Sequence, residues 1–378
     1  MVIAPGPRDS TALLDEKDES SRNRSAAGSG RGSARVIRIG GRALPYDPTY
    51  HLLWRMDKVR AIVRKEHPDV LEINSPYVAA ASALSCPRTD FGVRTFMWHA
   101  DFIDTYLRVM LERRATSRTA DVLLEPAWAA VRAIGRGCDA TICGARWQVD
   151  KLTSHGVPRV VHVPFGVDKD VFTPDARDEG ARHALLASFT EAAPPTKDTR
   201  LVVAIGRFAW EKRWDVVLDA YVRLAERSPG SARLICFGDG PERAAMQARV
   251  AGRADVRFEG FITDRAALSR ALASADLLLH GCPFETFGLG VAEAVASGCP
   301  VVVPNEGGAA ELAFGTSAVS YRALDVEACA AAAITLLQRE PAQVKDAALA
   351  ARGRVASVED QFTQTLELYE ELLVSRRV

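Results

Sequence analysis

Glu285 and Glu293 stand in the run His280-Gly-Cys-Pro-Phe-Glu-Thr-Phe-Gly-Leu-Gly-Val-Ala-Glu293. An ionised carboxylate only accepts hydrogen bonds, so two of them at this spacing can hold two sets of hydroxyls on one ligand. The apolar Leu277-Leu-Leu279 before the run and Val301-Val-Val303 after it read as strands, with a helix from about Gly288 between them. Gly288 and Gly290 let a ligand come close to the backbone. The amides at a helix N-terminus suit phosphate or sugar oxygens. On spacing alone the same residues fit equally an ordinary strand–helix–strand unit with two solvated glutamates.

Arg207 and Lys212 follow the apolar stretch Leu201-Val-Val-Ala-Ile205. Loops at the ends of parallel strands are where α/β sheets bind ligands. From such a loop a guanidinium can fork two phosphate oxygens while an ammonium supplies a point charge to the same pyrophosphate. Two solvated loop cations are the alternative. Gly238-Asp-Gly-Pro241 opens like a dinucleotide fingerprint, but Arg243 stands where the third glycine is required. His99 ends the apolar run Val93-Arg-Thr-Phe-Met-Trp98, where a lone histidine is commonly structural. Asp101 reads as a partner for an acceptor hydroxyl or as the N-cap of a helix over 102–114.

The run from Glu285 to Glu293, with its flank Gly298-Cys-Pro-Val-Val-Val-Pro-Asn-Glu-Gly-Gly308, resembles the Glu-x7-Glu signature of retaining glycosyltransferases of family 4, which have the GT-B fold. The resemblance extends from about residue 35 to 373. It implies an α/β protein of two Rossmann-like domains with a cleft between them, the donor site on the second and the acceptor site on the first. Glu285 would bind hydroxyls of the donor sugar and Glu293 the ribose, while the amides of Thr286, Phe287, Gly288 and Leu289 would face sugar and pyrophosphate. Arg207 and Lys212 are similar to the cation pair that holds the donor phosphates in that family in place of a metal. No Asp-x-Asp site lies in that loop, so neither a metal nor a cofactor is expected, only a nucleotide diphosphate sugar as donor substrate. Gly238 would be a wall of the nucleotide site or a plain tight turn, and Ile262 would line the base through its backbone. The resemblance places His99 beside the reacting carbon. The implied reaction is retaining transfer of a hexose, of mannose or glucose type, to a hydroxyl on a lipid or glycan acceptor. A catalytically impaired nucleotide-sugar-binding protein and a nucleotide-sugar epimerase are the alternatives.

Strand and helix patterns alternate along the chain, which argues for parallel sheets covered on both faces. Residues 35–175 with a returning helix in 358–378 are expected as the first domain, 200–357 as the second, 176–199 as a linker, and 1–34 as a partly flexible N-terminal segment. Helices are expected over 51–66 and 125–136, and the tail stripe Phe362, Leu366, Tyr369, Leu372 and Leu373 is expected to pack on the first domain. Met1 to Arg8 resembles the end of the family's second strand, so the first domain is expected to lack one opening strand–glycine loop–helix unit.

A chain of 378 residues suits two domains, and a formal net charge of zero gives no sign of nucleic acid. Seven cysteines without a C-x-x-C pair read as reduced thiols. The start has neither a basic n-region nor an apolar h-region, so a cytoplasmic protein is expected. The segment 102–118 carries Phe102, Tyr106, Val109 and Met110 with Arg108, Arg113, Arg114 and Arg118. It reads either as a peripheral contact with the inner membrane face or as a solvated helix face.

Overall fold

The computed structural model describes residues 1–14, 34–44, 47–112, 114, 116–228 and 230–377. The chain divides into two compact units: Met1–Gly144, Gln148–Val163 and Phe362–Val378 form the first, and Ala145–Trp147 with Pro164–Gln361 the second.

In the first unit, β1 (Val2–Gly6) pairs parallel with β3 (Ala34–Gly40), and β2 (Ser10–Leu14) pairs antiparallel with β3. The expected flexible segment therefore begins with ordered strand; residues 15–33 of it lie outside the described residues. A short antiparallel pair, β4 (Ala43–Leu44) and β5 (Asp47–His51), follows. His51 belongs to β5, so the helix expected over 51–66 starts only at Met56 and runs Met56–Glu66. The parallel strands β6 (Val70–Ile73), β7 (Val93–Trp98), β8 (Ala140–Cys143) and β9 (Val160–His162) make a separate four-stranded sheet. Among the described residues, neither β1 nor β3 pairs with β6. The second long helix, expected at 125–136, runs Ser117–Gly137 and passes through Pro126. Thr116 caps it by accepting from the Thr119 amide at 3.4 Å, and Ala120, Leu124, Trp128, Val131 and Ile134 form the buried stripe that holds it. The chain's last helix, Val358–Arg377, brings Tyr369 to the Glu72 carboxylate of this unit. Its inward face differs from the expected stripe: Phe362 and Leu366 are exposed, whereas Thr365 is buried.

The second unit is built on one six-stranded parallel sheet of β10 (Arg200–Ile205), β11 (Ala232–Phe237), β12 (Val256–Gly260), β13 (Leu277–Leu279), β14 (Val301–Pro304) and β15 (Ala318–Tyr321). The strand order is β12-β11-β10-β13-β14-β15. Alternate residues feed two cores. Leu201, Val203, Ile235, Leu278 and Val301 point to one, and Val202, Ala204, Leu234, Leu277 and Val302 to the other. Burial on both faces explains why β10, β11, β13 and β14 are largely apolar. Residues 176–199, expected as a linker, hold the helix Glu179–Ala187, capped by Asp178, and Leu186 and Phe189 are buried in the first of these cores. Among the described residues no helix is long and apolar enough to cross a membrane.

Candidate active site

Strand order reverses around β10, which lies between β11 and β13, so the loops after these strands leave the sheet at a switch point. The loop after β10 carries Arg207 and Lys212. Its shape is fixed by the Phe208 amide, which donates to the Asp239 carbonyl at 2.9 Å, and by the Trp214 indole, which donates to the Arg207 carbonyl at 2.9 Å. Gly238 sits against it at φ 142°; a Cβ there would lie 1.9 Å from the Gly206 carbonyl oxygen. Gly238 is therefore a close-packed joint between two loops of this edge.

The loop after β13 brings Glu285 to Lys212: Nζ donates to Oε1 at 2.6 Å. Both side chains are largely buried. Burial works against each charge, but the pair's mutual attraction dominates, holding Glu285 below the usual carboxylate range and Lys212 above the usual lysine range. The Glu285 carbonyl accepts from the Gly308 amide at 2.7 Å, which ties this loop to the one after β14. Gly288 then takes a left-handed conformation, φ 90°, and starts the helix Leu289–Ala296. Phe287 is buried, with its ring 5.6 Å from that of Phe165, and this anchors the segment whose amides precede the helix.

Glu293 lies on this helix, 4% exposed, with Oε1 2.6 Å from Arg265 Nη2. Burial pushes its acid up, opposed by Arg265. Arg207 points its guanidinium at Glu211, 2.6 Å away, and remains well exposed. Ile262, after β12, is half-buried against the core of this unit. Trp210 after β10, Phe261 after β12 and Leu289 at the start of the helix Leu289–Ala296 are large apolar side chains left exposed.

His99 follows β7 in the first unit and is exposed. Asp101 lies just before the helix, whose N-cap is Phe102; its carboxylate accepts from the Asp104 amide at 3.4 Å, and it is buried in an ion pair with Lys151, which Asp104 shares. The turns that follow are a wide-turned helix, Ile103–Arg108, continued by Val109–Glu112.

Two residues of this region gave no signal in the sequence. His280, directly after β13, is 8% exposed, and its Nε2 lies 3.5 Å from Glu285 Oε1 without a hydrogen bond. Burial lowers its pKa to about 4, so the ring is neutral at pH 7. A lone histidine at a strand end carries no marker of such a place. Arg265 is the other; its only trace was its position after Asp264, a capping residue that starts the helix Arg265–Ser274. His280, Cys282 and Glu285 bring one potential metal-ligand atom each within 4.8 Å of one another. The ammonium of Lys212 already stands 2.6 Å from Glu285, in the place a cation would take, and repels one.

Comparison with known proteins agrees with this geometry. Residues 2–171 match the family described as Glycosyltransferase Family 4, and residues 199–339 that described as Glycosyl transferases group 1. The chain is 31% identical over 267 residues to a GDP-mannose-dependent alpha-(1-6)-phosphatidylinositol dimannoside mannosyltransferase of Mycobacterium tuberculosis; the match covers 71% of this chain and 65% of that relative. It is 27% identical over 257 residues to a GDP-mannose-dependent alpha-mannosyltransferase of Corynebacterium glutamicum, covering 68% of this chain and 56% of the relative. The chain thus spans less than two thirds of the length of these relatives. Among solved structures, the Anabaena protein HepE in complex with UDP and glucose superposes with a TM-score of 0.65 at 18% identity, over 83% of this chain and 81% of that one. Sucrose-phosphate synthase from Thermosynechococcus elongatus gives 0.68 at 18% identity, over 90% and 84%. The two matched segments, the parallel-stranded units and these neighbours agree: the chain belongs to the family-4 type of glycosyltransferases and has the GT-B fold.

Proposed function

We propose that the protein transfers a hexose from a nucleotide diphosphate sugar to an acceptor hydroxyl, with retention of anomeric configuration and without a metal. The observation that carries this is the Lys212–Glu285 contact at 2.6 Å beside the N-terminus of the helix Leu289–Ala296. A carboxylate able to take sugar hydroxyls then lies next to a cation able to take the charge of a departing diphosphate. Charge on the leaving group grows towards the transition state, so a fixed ammonium and a helix N-terminus lower the barrier without reorganising. Arg207 adds a second cation from the same loop and would swing from Glu211 onto the phosphates. Glu293 takes the ribose. The leaving diphosphate itself receives the acceptor proton on the face it leaves, which yields retention with no enzyme nucleophile.

The donor favoured is GDP-mannose, because the relatives quoted above are GDP-mannose-dependent. The acceptor favoured is a glycolipid, since one of them is a phosphatidylinositol dimannoside mannosyltransferase. The test combines GDP-mannose, UDP-glucose and ADP-glucose with mannosylated lipid or glycan acceptors, in EDTA. Retained anomeric configuration in the product, read by NMR, is expected, with GDP-mannose the best donor. Inverted product overturns retention, and activity abolished by EDTA and restored by a divalent ion overturns the metal-free mechanism. Donor hydrolysis or epimerisation without transfer overturns the assignment as a transferase.

A further inference from the structure

We propose that Arg265 is a positioning residue that holds the Glu293 carboxylate in place as the ribose acceptor, an inference that rests on the donor-site reading above. Glu293 is 4% exposed on a helix whose neighbouring residues Val291, Ala292, Ala294 and Val295 are buried apolar side chains. A carboxylate in such a place loses its hydration, and the neutral acid is favoured. The neutral acid is also the wrong form: it spends one oxygen as a donor and loses acceptor capacity. Burial does push Glu293 up, and Arg265 is the group that opposes it.

A cap fixes the helix of Arg265 and two contacts hold its side chain. Its helix is started by Asp264, whose carboxylate accepts from the Ala266 and Ala267 amides at 2.9 and 3.1 Å. Its guanidinium lies over the fully buried Phe172 ring, 4.6 Å from the centroid. One arm of its fork donates to Glu293 Oε1 at 2.6 Å. A flat guanidinium held on one face by an aromatic ring and at one edge by a carboxylate has little freedom left. Among the described residues Oε2 of Glu293 has no protein partner, which leaves it for a hydroxyl. Arg265 also follows Ile262 by three positions, so the same short loop would line the base and supply the cation behind the ribose acceptor. A ligand need not displace the pair; it uses the oxygen that Arg265 leaves open.

The test is calorimetry of GDP and UDP from pH 5.5 to pH 8.5 on the wild type, Arg265→Met, Arg265→Lys, Glu293→Gln and the double variant Arg265→Met/Glu293→Gln. Arg265→Met is expected to lose about tenfold or more in affinity at the acid end, the scale of one charged hydrogen bond. It should recover as rising pH ionises Glu293. Arg265→Lys should restore most of the affinity at every pH. Because Arg265 acts through Glu293, the double variant should bind as Glu293→Gln does. That comparison also stands if Arg265→Met unfolds, since the double variant leaves no unpaired buried carboxylate. Affinity unchanged in Arg265→Met across the range, or a further loss on adding Arg265→Met to Glu293→Gln, overturns the inference alone. A wild type that binds neither nucleotide overturns the donor-site reading and this inference with it.

Discussion

His280 shows how a single buried ring records the polarity of the site. Its Nε2 has no hydrogen-bond partner, and the ring has a hydrogen bond with the Cys282 backbone that favours the protonated form. The bonded nitrogen is therefore Nδ1, donating to the carbonyl, and Nε2 of the neutral ring is an acceptor facing Glu285 Oε1, another acceptor, at 3.5 Å. Its pKa falls from 6.5 in the unfolded chain to about 4 in the fold, so between these values the unfolded chain binds more protons. The contribution is complete above pH 6.5 and is lost as pH falls through about 4. Each tenfold difference in proton affinity between the two states is worth about 1.4 kcal/mol, so the contribution reaches about 3 kcal/mol. His280→Asn, which keeps an amide donor for Cys282 without the titration, should be flatter in stability over that window. Urea unfolding at a series of pH values checks this, and parallel curves for the two proteins would sink it. The sequence could not have shown it. Glu285, Glu293, Arg207 and Lys212 could be singled out because their spacing and flanks resemble a family signature; on spacing alone they also fitted solvated side chains. His280 and Arg265 matter through what they touch, at β13 and across from the helix Leu289–Ala296, and spacing along the chain does not encode that.

At the scale of elements, the legible parts were those whose periodicity is imposed by burial. β10, β11, β13 and β14 are largely apolar because both faces are covered, and the run lengths mark them, although β10 begins at Arg200 and β11 holds the buried Arg233. Boundaries decided by capping or pairing were less visible. His51 reads as the first residue of an amphipathic helix, but pairing with Ala43 keeps it in a strand. Glu179–Ala187 is short and polar on its outer side, and only the burial of Leu186 and Phe189 distinguishes it from a linker. The joint between the loops after β10 and β11 gives this scale its test. With a Cβ 1.9 Å from the Gly206 carbonyl and φ at 142°, Gly238→Ala must push the two loops apart. Overpacking of this kind costs about 1–3 kcal/mol. It should also displace Arg207, the residue that follows Gly206 in the same backbone turn. The expected result is a lower melting temperature and weaker binding of a nucleoside diphosphate. Gly252→Ala, at φ 80° but with nothing within 4 Å of the added Cβ, controls for backbone strain and should leave binding unchanged. Equal losses of binding in the two variants would show that the steric joint is not what shapes the loop.

For the molecule as a whole, an acceptor that sits in a bilayer requires that the protein reach it, and the surface of the first unit bears on this. Tyr106, Leu107 and Met110 on one helical segment and Val122 and Leu123 on the next are exposed, Met110 by 65% and Val122 by 73%. The two segments adjoin, since Arg108 bonds Asp121 at 2.8 Å. Arg108 belongs to the segment read either as a membrane contact or as a solvated helix face, but Asp104, Glu112 and Asp121 all pair with it, so it is neutralised within the protein. Arg113 lies outside the described residues, and Arg114 and Arg118 are exposed. Each basic side chain near an anionic bilayer contributes about 1 kcal/mol, screened by salt, and the apolar side chains add area that salt does not screen. We expect the protein to sediment with vesicles rich in anionic lipid at low ionic strength. Met110→Ser/Val122→Ser/Leu123→Ser should weaken this at every salt concentration, whereas Arg114→Gln/Arg118→Gln should weaken it only at low salt. The two variants must keep full transfer to a water-soluble acceptor if the surface serves docking alone. Wild-type protein that stays in the supernatant with such vesicles, yet transfers to an acceptor embedded in them, would show that the acceptor reaches the site without this surface.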